Sequence, residues 1–252
     1  MPSLLRLQGV RKHFGGVRAV DGVTFDLAAG DLVGLIGPNG SGKSTLFNVI
    51  GGVLKPDDGT IAFQGERIDG WDPWRVFARG IVRSFQNPRL FRGMTALENV
   101  LVPPRNQIGE RLASAPRPRR WEPQEVALAK DALEVLARNQ LEAVRLNWAT
   151  EISGGQMKLL EVSRTLMAEP KLLLLDEPTA GVAPRLAQEI FERIIALRRE
   201  HDLTFLIIEH RLEVLLDAVD RVFVMHQGRV LFDGPPAAAI EDPTVIDAYL
   251  GE

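Results

Sequence analysis

A glycine-rich segment near the start of the chain reads Gly37-Pro38-Asn39-Gly40-Ser41-Gly42-Lys43-Ser44-Thr45. A mostly aliphatic run at 32–36 precedes it, and a helix is expected to begin at about Lys43 and to end at Gly51 and Gly52. The segment matches the pattern G-x-x-x-x-G-K-[ST], whose glycines let consecutive backbone N–H groups converge on one phosphate. A strand, this loop and a helix in succession therefore predict an α/β nucleotide-binding fold.

The end of this loop carries side chains suited to phosphate chemistry. The ammonium of Lys43 can reach the β- and γ-phosphates, and the hydroxyl of Ser44 can bind Mg²⁺. The N-terminus of the following helix adds positive potential at the same place. We therefore predict that 37–45 binds ATP or a similar nucleotide, although the loop alone does not distinguish a kinase, a GTPase and a motor ATPase.

Two adjacent carboxylates follow a second apolar run. Residues 172–175 are leucines, and Asp176 and Glu177 come directly after them. In α/β proteins ligands bind at the carboxyl ends of the strands, which is where this pair is expected to lie. We expect Asp176 to hold Mg²⁺, directly or through water, and Glu177 to polarise the water that attacks the γ-phosphate.

Periodicity predicts the remaining elements. Short strands are expected at 4–10, 23–27 and 60–68. After Pro170 we predict a strand at 172–175, a helix at 184–200, a strand at 203–208, a helix at 210–217 and a hairpin about 227–228. Alternating strands and helices are typical of an α/β core with a mainly parallel sheet.

The middle of the chain has a different composition. Residues 102–123 contain five prolines and five arginines, so one continuous helix is not expected there. The segment is interpreted as an exposed loop, with a patch that binds lipid or a partner as the alternative. A helix at 124–138 is predicted to bury Val126, Ala129, Leu133 and Leu136.

Composition excludes several classes of protein. The chain has 252 residues, 45% of them hydrophobic and 25% charged, with a net charge of −3. The small charge does not favour nucleic acid as a partner. Because cysteine is absent, disulfides, thiolate metal sites and cysteine nucleophiles are excluded. His13, His201 and His226 are interpreted as surface residues.

A further motif reads Ile152-Ser153-Gly154-Gly155-Gln156. Ser153 and Gln156 match a capping box, predicted to open a helix that runs to Ala168 and to offer a second anion site at its start. Together with the phosphate loop and Asp176-Glu177, this motif resembles the signature of the ATP-binding cassette (ABC) superfamily. The resemblance covers about residues 4–235.

The resemblance implies a fold and a division of the chain. The expected fold is a P-loop NTPase (RecA-like) core with a mainly parallel sheet, an antiparallel β subdomain and an inserted α-helical subdomain. One nucleotide-binding domain would span 4–235. Its core and β subdomain would take 1–86 and 168–235, its helical subdomain 87–167, and 236–252 would form a C-terminal extension.

The resemblance also assigns roles to residues outside the phosphate loop. Phe14 would stack on adenine, Gln86 would contact Mg²⁺ and the attacking water, and His210 would contact the γ-phosphate and hold Glu177. In the family, two ATP-binding subunits meet head to tail. Each ATP would then lie between Lys43 of one subunit and a second subunit's signature, Ser153, Gly154, Gly155 and Gln156.

Within the superfamily, the chain is most similar to ATP-binding subunits of branched-chain amino-acid importers. The matching segments are 14–17, 85–91, 94–100, 205–211 and 245–251. This implies an ATPase that couples hydrolysis to import of branched-chain or other hydrophobic amino acids. Its partners would be a second ABC ATPase subunit, membrane permease subunits and, indirectly, a substrate-binding protein, at the cytoplasmic side of the membrane.

The chain departs from the family pattern at Ile152, where leucine is usual, and at Ala183, where the family commonly has aspartate. That aspartate helps to bridge the two ATP sites of a dimer, so the second departure concerns communication between them. The alternative functions are an ATPase for lipopolysaccharide export or urea transport, a soluble ABC ATPase such as an iron–sulfur assembly factor, and a regulatory subunit that binds ATP without hydrolysing it.

Overall fold

The computed structural model of the chain describes residues 3–84 and 89–250, the last of them by its backbone only. The chain divides into two units, Met1–Arg83 with Lys171–Glu252, and Ser84–Pro170. The strands described are β1 (Ser3–Phe14), β2 (Val17–Ala28), β3 (Leu32–Ile36), β4 (Asp58–Phe63), β5 (Glu66–Arg67), β6 (Ile81–Arg83), β7 (Leu172–Asp176), β8 (Thr204–Ile208), β9 (Arg221–His226) and β10 (Arg229–Gly234).

The α-helices are shared between the two units. The first unit contains α1 (Lys43–Ile50), α2 (Pro73–Arg79), α6 (Pro184–His201), α7 (Leu212–Ala218), α8 (Pro236–Glu241) and α9 (Pro243–Leu250). The second contains α3 (Ala96–Leu101), α4 (Pro118–Arg138) and α5 (Gly154–Leu166).

A six-stranded sheet in the order β10-β9-β3-β8-β7-β6 forms the centre of the first unit. Its strands from β9 to β6 run parallel, and β10 pairs antiparallel with β9. Every residue of β3, β7 and β8 is buried, as expected for parallel strands covered on both faces. The predicted α/β core with a mainly parallel sheet is therefore confirmed.

The first unit also contains an antiparallel sheet in the order β2-β1-β4-β5. Buried Leu5, Leu7, Leu27 and Phe63 from these strands belong to the same hydrophobic cluster as the aliphatic residues of the parallel sheet. The prediction of one strand over 60–68 is wrong, because two strands cover this range. Gln64 and Gly65 both take positive φ, 51° and 77°, and make the turn that separates β4 from β5.

The second unit packs α3, α4 and α5 around a core of its own. Its fully buried side chains include Val100, Leu136, Leu141 and Leu160. α5 ends at Leu166 rather than at the predicted Ala168. Across residues 3–84 and 89–250, we find no helix with both the length and the apolar character that crossing a bilayer requires.

The prediction for α4 is partly wrong. The helix begins at Pro118, inside the segment predicted to be a loop, because proline fits the first helical position, where no N–H donor is needed. It continues through Pro123 at the loss of one backbone hydrogen bond. Its buried face carries Ala132 and Leu136, with Leu128 and Val135 beside them, whereas the predicted Val126 and Leu133 are exposed.

Candidate active site

The phosphate loop lies where the sequence predicts it, between the end of β3 at Ile36 and the start of α1 at Lys43. Gly37 and Gly42 take φ values of 141° and 104°, which L side chains rarely adopt. A Cβ atom on Gly37 would overlap the carbonyl oxygen of Met225, and one on Gly42 would overlap that of Ala19. Both positions therefore require glycine for conformation and for space.

The side chain of Lys43 turns back into this loop. Its Nζ donates to the carbonyl oxygens of Gly37 (2.7 Å) and Pro38 (2.8 Å) and lies 3.3 Å from the Oγ of Ser41. The ammonium is thereby buried and fixed beside the backbone N–H groups of the loop. A bound phosphate would offer it stronger, charged acceptors at the same place.

The loop forms one wall of a cavity of about 1020 Å³. The residues that line it come from β2, the phosphate loop, the ends of β7 and β8, and the β9–β10 hairpin. They are Val17, Arg18, Ala19, Asp21, Asn39, Gly40, Gly42, Lys43, Ser44, Thr45, Glu177, Ile208, His210, His226, Gln227, Arg229, Val230 and Leu231. Glu177 and His210 are thus brought to the phosphate loop although they are distant from it in sequence.

Glu177 is held in a constrained conformation directly after β7. Its φ is 50°, a left-handed value uncommon for a residue other than glycine, and its N–H donates to Ile208 (2.8 Å). One carboxylate oxygen, Oε1, lies 3.1 Å from Nε2 of His210. A strained backbone that aims a carboxylate at a cavity and at a histidine is typical of a functional residue.

Asp176 lies at the end of β7 and is buried. Its Oδ2 accepts from Nη2 of Arg83 (2.8 Å), and Arg83 also donates to Asn48 of α1. Ser44 lies one residue into α1 and lines the cavity. Within residues 3–84 and 89–250, no cluster of three or more His, Cys, Asp or Glu side chains offers a complete metal cage.

A hydroxyl and a carboxylate suit Mg²⁺, which commonly takes one or two protein oxygens and completes its shell with substrate phosphates and water. Ser44 and Asp176 are oxygen ligands of this kind, on the first residues of α1 and at the end of β7. The donor set therefore fits a magnesium ion bound together with a nucleotide.

The sequence analysis missed the part of the cavity formed by β2 and the β9–β10 hairpin. His226, interpreted as a surface residue, is half-buried and lines the cavity. Parallel pairing of Ile36 with Val224 carries the hairpin to the phosphate loop, where the N–H of Gly228 donates to Ser41 (3.0 Å). No motif in the sequence signals this register.

Asp21 is the acidic residue in the part of the cavity formed by β2 and the β9–β10 hairpin. Hydrogen bonding from Arg229 holds the pKa of Asp21 below its usual value, and the nearby charges of Arg18 and Arg11 act in the same direction. The carboxylate thus stays ionised while it orients the arginines at the cavity edge.

The other expected site residues occupy separate places. Phe14 ends β1 with 48% of its surface exposed, outside the residues that line the cavity. His201 is exposed as predicted. His13, interpreted as a surface residue, is half-buried, and its backbone N–H donates to Oδ2 of Asp57 (2.6 Å). Gln86 lies outside the described residues.

The signature segment caps α5 in the second unit. The N–H of Gln156 donates to Oγ of Ser153 (3.3 Å), and the N–H of Ser153 donates to Oε1 of Gln156 (2.9 Å). The predicted capping box is therefore confirmed. Ser153 and Gly154 are exposed, so the free N–H groups of the first helical turn are open to an anion.

Comparison with known families gives two matches. Residues 20–180 match the family described as ABC transporter, and residues 229–252 match the family described as branched-chain amino acid ATP-binding cassette transporter. The first match covers more than half of the chain and includes the phosphate loop, the signature and Asp176-Glu177.

Similar proteins of known name cover nearly the whole chain. A Methanocaldococcus jannaschii protein named "Probable branched-chain amino acid transport ATP-binding protein LivG" is 42% identical over 99% of this chain and 98% of its own length. A Pseudomonas aeruginosa protein named "High-affinity branched-chain amino acid transport ATP-binding protein BraF" is 38% identical over the same shares.

Solved structures agree with the fold. The ADP conformation of an ATP-binding cassette of an ABC transporter aligns with a TM-score of 0.85 at 40% identity, over 100% of both chains. A dimeric, post-hydrolysis cassette bound to ADP and phosphate aligns with a TM-score of 0.77 at 25% identity, over 92% of this chain and 98% of that one. The expected fold class is therefore confirmed.

Proposed function

The chain belongs to the ABC transporter family of ATP-hydrolysing subunits, and on that premise we propose that it drives a membrane importer of branched-chain amino acids. The observation that carries the proposal is the single cavity in which the phosphate loop, Glu177 and His210 meet. That arrangement joins a phosphate-binding surface to a carboxylate able to accept a proton, which is what hydrolysis of a phosphoanhydride requires.

In the proposed reaction, ATP lies along the phosphate loop, residues 37–45, with its adenine stacked on the exposed ring of Phe14. Lys43 leaves its carbonyl partners to bind the β- and γ-phosphates. Glu177 takes a proton from water as the water oxygen bonds to the γ-phosphorus, and the bond to the β–γ bridging oxygen breaks to leave ADP and phosphate. His210 holds Glu177 through the 3.1 Å contact and meets the γ-phosphate from the other side.

Mg²⁺ bound by Ser44 and Asp176 would neutralise charge on the phosphates. In the structure, the guanidinium of Arg83 donates a hydrogen bond to one oxygen of Asp176 and so orients that carboxylate. We assign Gln86 to the contact between the metal and the attacking water, as the family resemblance implies.

We propose that Ser153 to Gln156 complete the ATP site of a second subunit. The exposed first turn of α5 supplies backbone donors for the γ-phosphate, and the chain is similar to a cassette whose structure is dimeric. Residues 87–167 would form the helical subdomain that carries this surface, and 236–252 a C-terminal extension. Closure of the pair on ATP and reopening after hydrolysis would drive the permease.

The proposed partners are a second ABC ATPase subunit, membrane permease subunits and, through them, a substrate-binding protein. The chain would lie at the cytoplasmic side of the membrane, peripherally attached. Support for the substrate class comes from the names of the relatives and from the family match at residues 229–252.

The test is to purify the tagged chain from detergent-solubilised membranes and to reconstitute what co-purifies into vesicles. We expect integral membrane partners and, with the binding protein and Mg·ATP supplied, uptake of labelled leucine that a Lys43→Ala variant loses. Recovery of the chain without any membrane protein would favour a soluble ABC ATPase. Uptake of urea but not leucine, or extraction of lipopolysaccharide, would reject the amino-acid assignment.

A further inference from the structure

Glu209 is a buried carboxylate next to His210 to which the reaction above gives no role. It follows β8 directly, and only 3% of its surface is exposed. Its Oε2 accepts from the N–H (3.1 Å) and the hydroxyl (2.7 Å) of Thr179, and its Oε1 accepts from the N–H groups of His210 (2.9 Å) and Arg211 (3.3 Å). A carboxylate has about four acceptor positions, so these donors saturate it.

These contacts join two loops. The β7–α6 loop, residues 177–183, contains Thr179, and the β8–α7 loop, residues 209–211, contains His210. Two more contacts connect them: Nε2 of His210 lies 3.1 Å from Glu177, and Nη2 of Arg211 donates to the carbonyl of Val182 (2.6 Å). Each of the three residues of the β8–α7 loop thus contacts a different residue of the β7–α6 loop.

The arrangement leaves Ala180 and Gly181 between two fixed points, Thr179 and Val182. Gly181 is exposed, and so is Ala183, whose methyl group has no hydrogen-bonding atom. A movement of the β8–α7 loop can therefore be passed to Ala180 and Gly181 through Glu209 and Arg211, although neither Ala180 nor Gly181 is charged.

We propose that Glu209 is a positioning residue that makes the two loops move as one, so that His210, on meeting the γ-phosphate, displaces Ala180 and Gly181. This deepens the proposed function and rests on it, because the signal begins with ATP in the cavity. The requirement for a carboxylate follows from its partners: three of the four are backbone N–H groups, so the NH₂ group of a glutamine would face at least one N–H donor at either oxygen position.

The first test compares steady-state ATP hydrolysis by Glu209→Gln, Thr179→Val and Thr179→Ser. We expect kcat to fall about tenfold in Glu209→Gln and about threefold in Thr179→Val, with KM for ATP within twofold of the wild type, because the phosphate loop is untouched. Thr179→Ser keeps the hydroxyl donor and should retain wild-type kcat.

A matched control separates positioning from general loss of stability. Thr204 is fully buried at the other end of β8, and its hydroxyl accepts from Gly30 (3.0 Å). Thr204→Val should lower the melting temperature about as much as Thr179→Val and leave kcat unchanged. Equal loss of kcat in both valine variants would overturn the proposal.

The second test measures the displacement itself. The chain has no cysteine, so Ala180→Cys provides a unique site for an environment-sensitive fluorophore. We expect Mg·ATP, but not ADP, to change its emission, and Glu209→Gln to reduce that change at least threefold at saturating ATP. If Glu209→Gln does not fold, the same comparison is made with Thr179→Val and Thr179→Ser.

Unchanged kcat and an unchanged ATP-dependent signal in folded Glu209→Gln, or in Thr179→Val where Glu209→Gln does not fold, would overturn the inference. A rise in KM at constant kcat would also overturn it, because it would place Glu209 in nucleotide binding alone. Failure of the proposed function looks different. A chain that is not an ATPase would release no phosphate even as the wild type, and a different transported substrate would appear in the vesicle uptake assay while leaving both tests here unaffected.

Discussion

At the scale of single residues, the strained backbone conformation of Glu177 positions the carboxylate that is proposed to act as the base. Its positive φ of 50° and its N–H bond to Ile208 fix the carboxylate beside His210. Since non-glycine residues in this region cost of order 1–3 kcal/mol, the surrounding strands must hold it there. The conformation fits a base that needs a defined position rather than a mobile surface carboxylate.

Glu177→Gln should therefore bind ATP and fail to hydrolyse it. The amide keeps the shape of the side chain but cannot accept a proton from water, so we expect kcat to fall at least about a hundredfold. Binding is measured with a fluorescent ATP analogue and turnover by phosphate release. Full hydrolysis by the variant would remove Glu177 from the role of base.

Site residues that belong to a local sequence pattern could be predicted from the sequence. Lys43 ends the glycine-rich loop after β3, and Asp176 and Glu177 lie at the end of β7, so a local pattern places each of them. His226 and Asp21 could not be found, because their position depends on the pairing of β9 with β3 and on ion pairs between distant strands. Glu209 was missed for the same reason, since its partner Thr179 lies on another loop.

At the scale of elements, the start of α5 was predicted correctly because the side chains of Ser153 and Gln156 bind the backbone locally. The structure shows a second capping box of this kind. α3 begins with a capping box in which Glu98 Oε2 accepts from the N–H (2.7 Å) and hydroxyl (2.9 Å) of Thr95. α4 was predicted poorly because tertiary packing decides which of its faces is buried. Its apolar residues surround much of the helix, so periodicity alone did not select Ala132 over Leu133.

Thr95→Ala should destabilise the second unit by about 1 kcal/mol, the usual value of an N-cap side chain. Thr95→Ser, which keeps the hydroxyl, is the control. The bonds from Thr95 hold the pKa of Glu98 below its usual value, so the contribution of Glu98 is present at neutral pH and is lost as pH falls through the lowered value. Urea unfolding should show a gap between the alanine and serine variants that narrows in acid. An equal midpoint at neutral pH would contradict this.

At the scale of the whole molecule, the chain carries two surfaces prepared for phosphate. One is the loop around Lys43 in the first unit, and the other is the exposed start of α5 at Ser153 in the second. Both lie at a helix N-terminus, and the first has Glu177 and His210 beside it. We therefore propose that each chain supplies one half of each of two different ATP sites, which a second subunit completes.

The most direct test of that claim is phosphate release by an equal mixture of Lys43→Ala and Ser153→Arg subunits, each inactive alone. In a head-to-tail pair, a mixed dimer keeps one site with an intact Lys43 and an intact Ser153. Random pairing then predicts recovery of about one quarter of the wild-type rate. A mixture no more active than its separate components would show that Ser153 does not complete a partner's site, and would contradict the account.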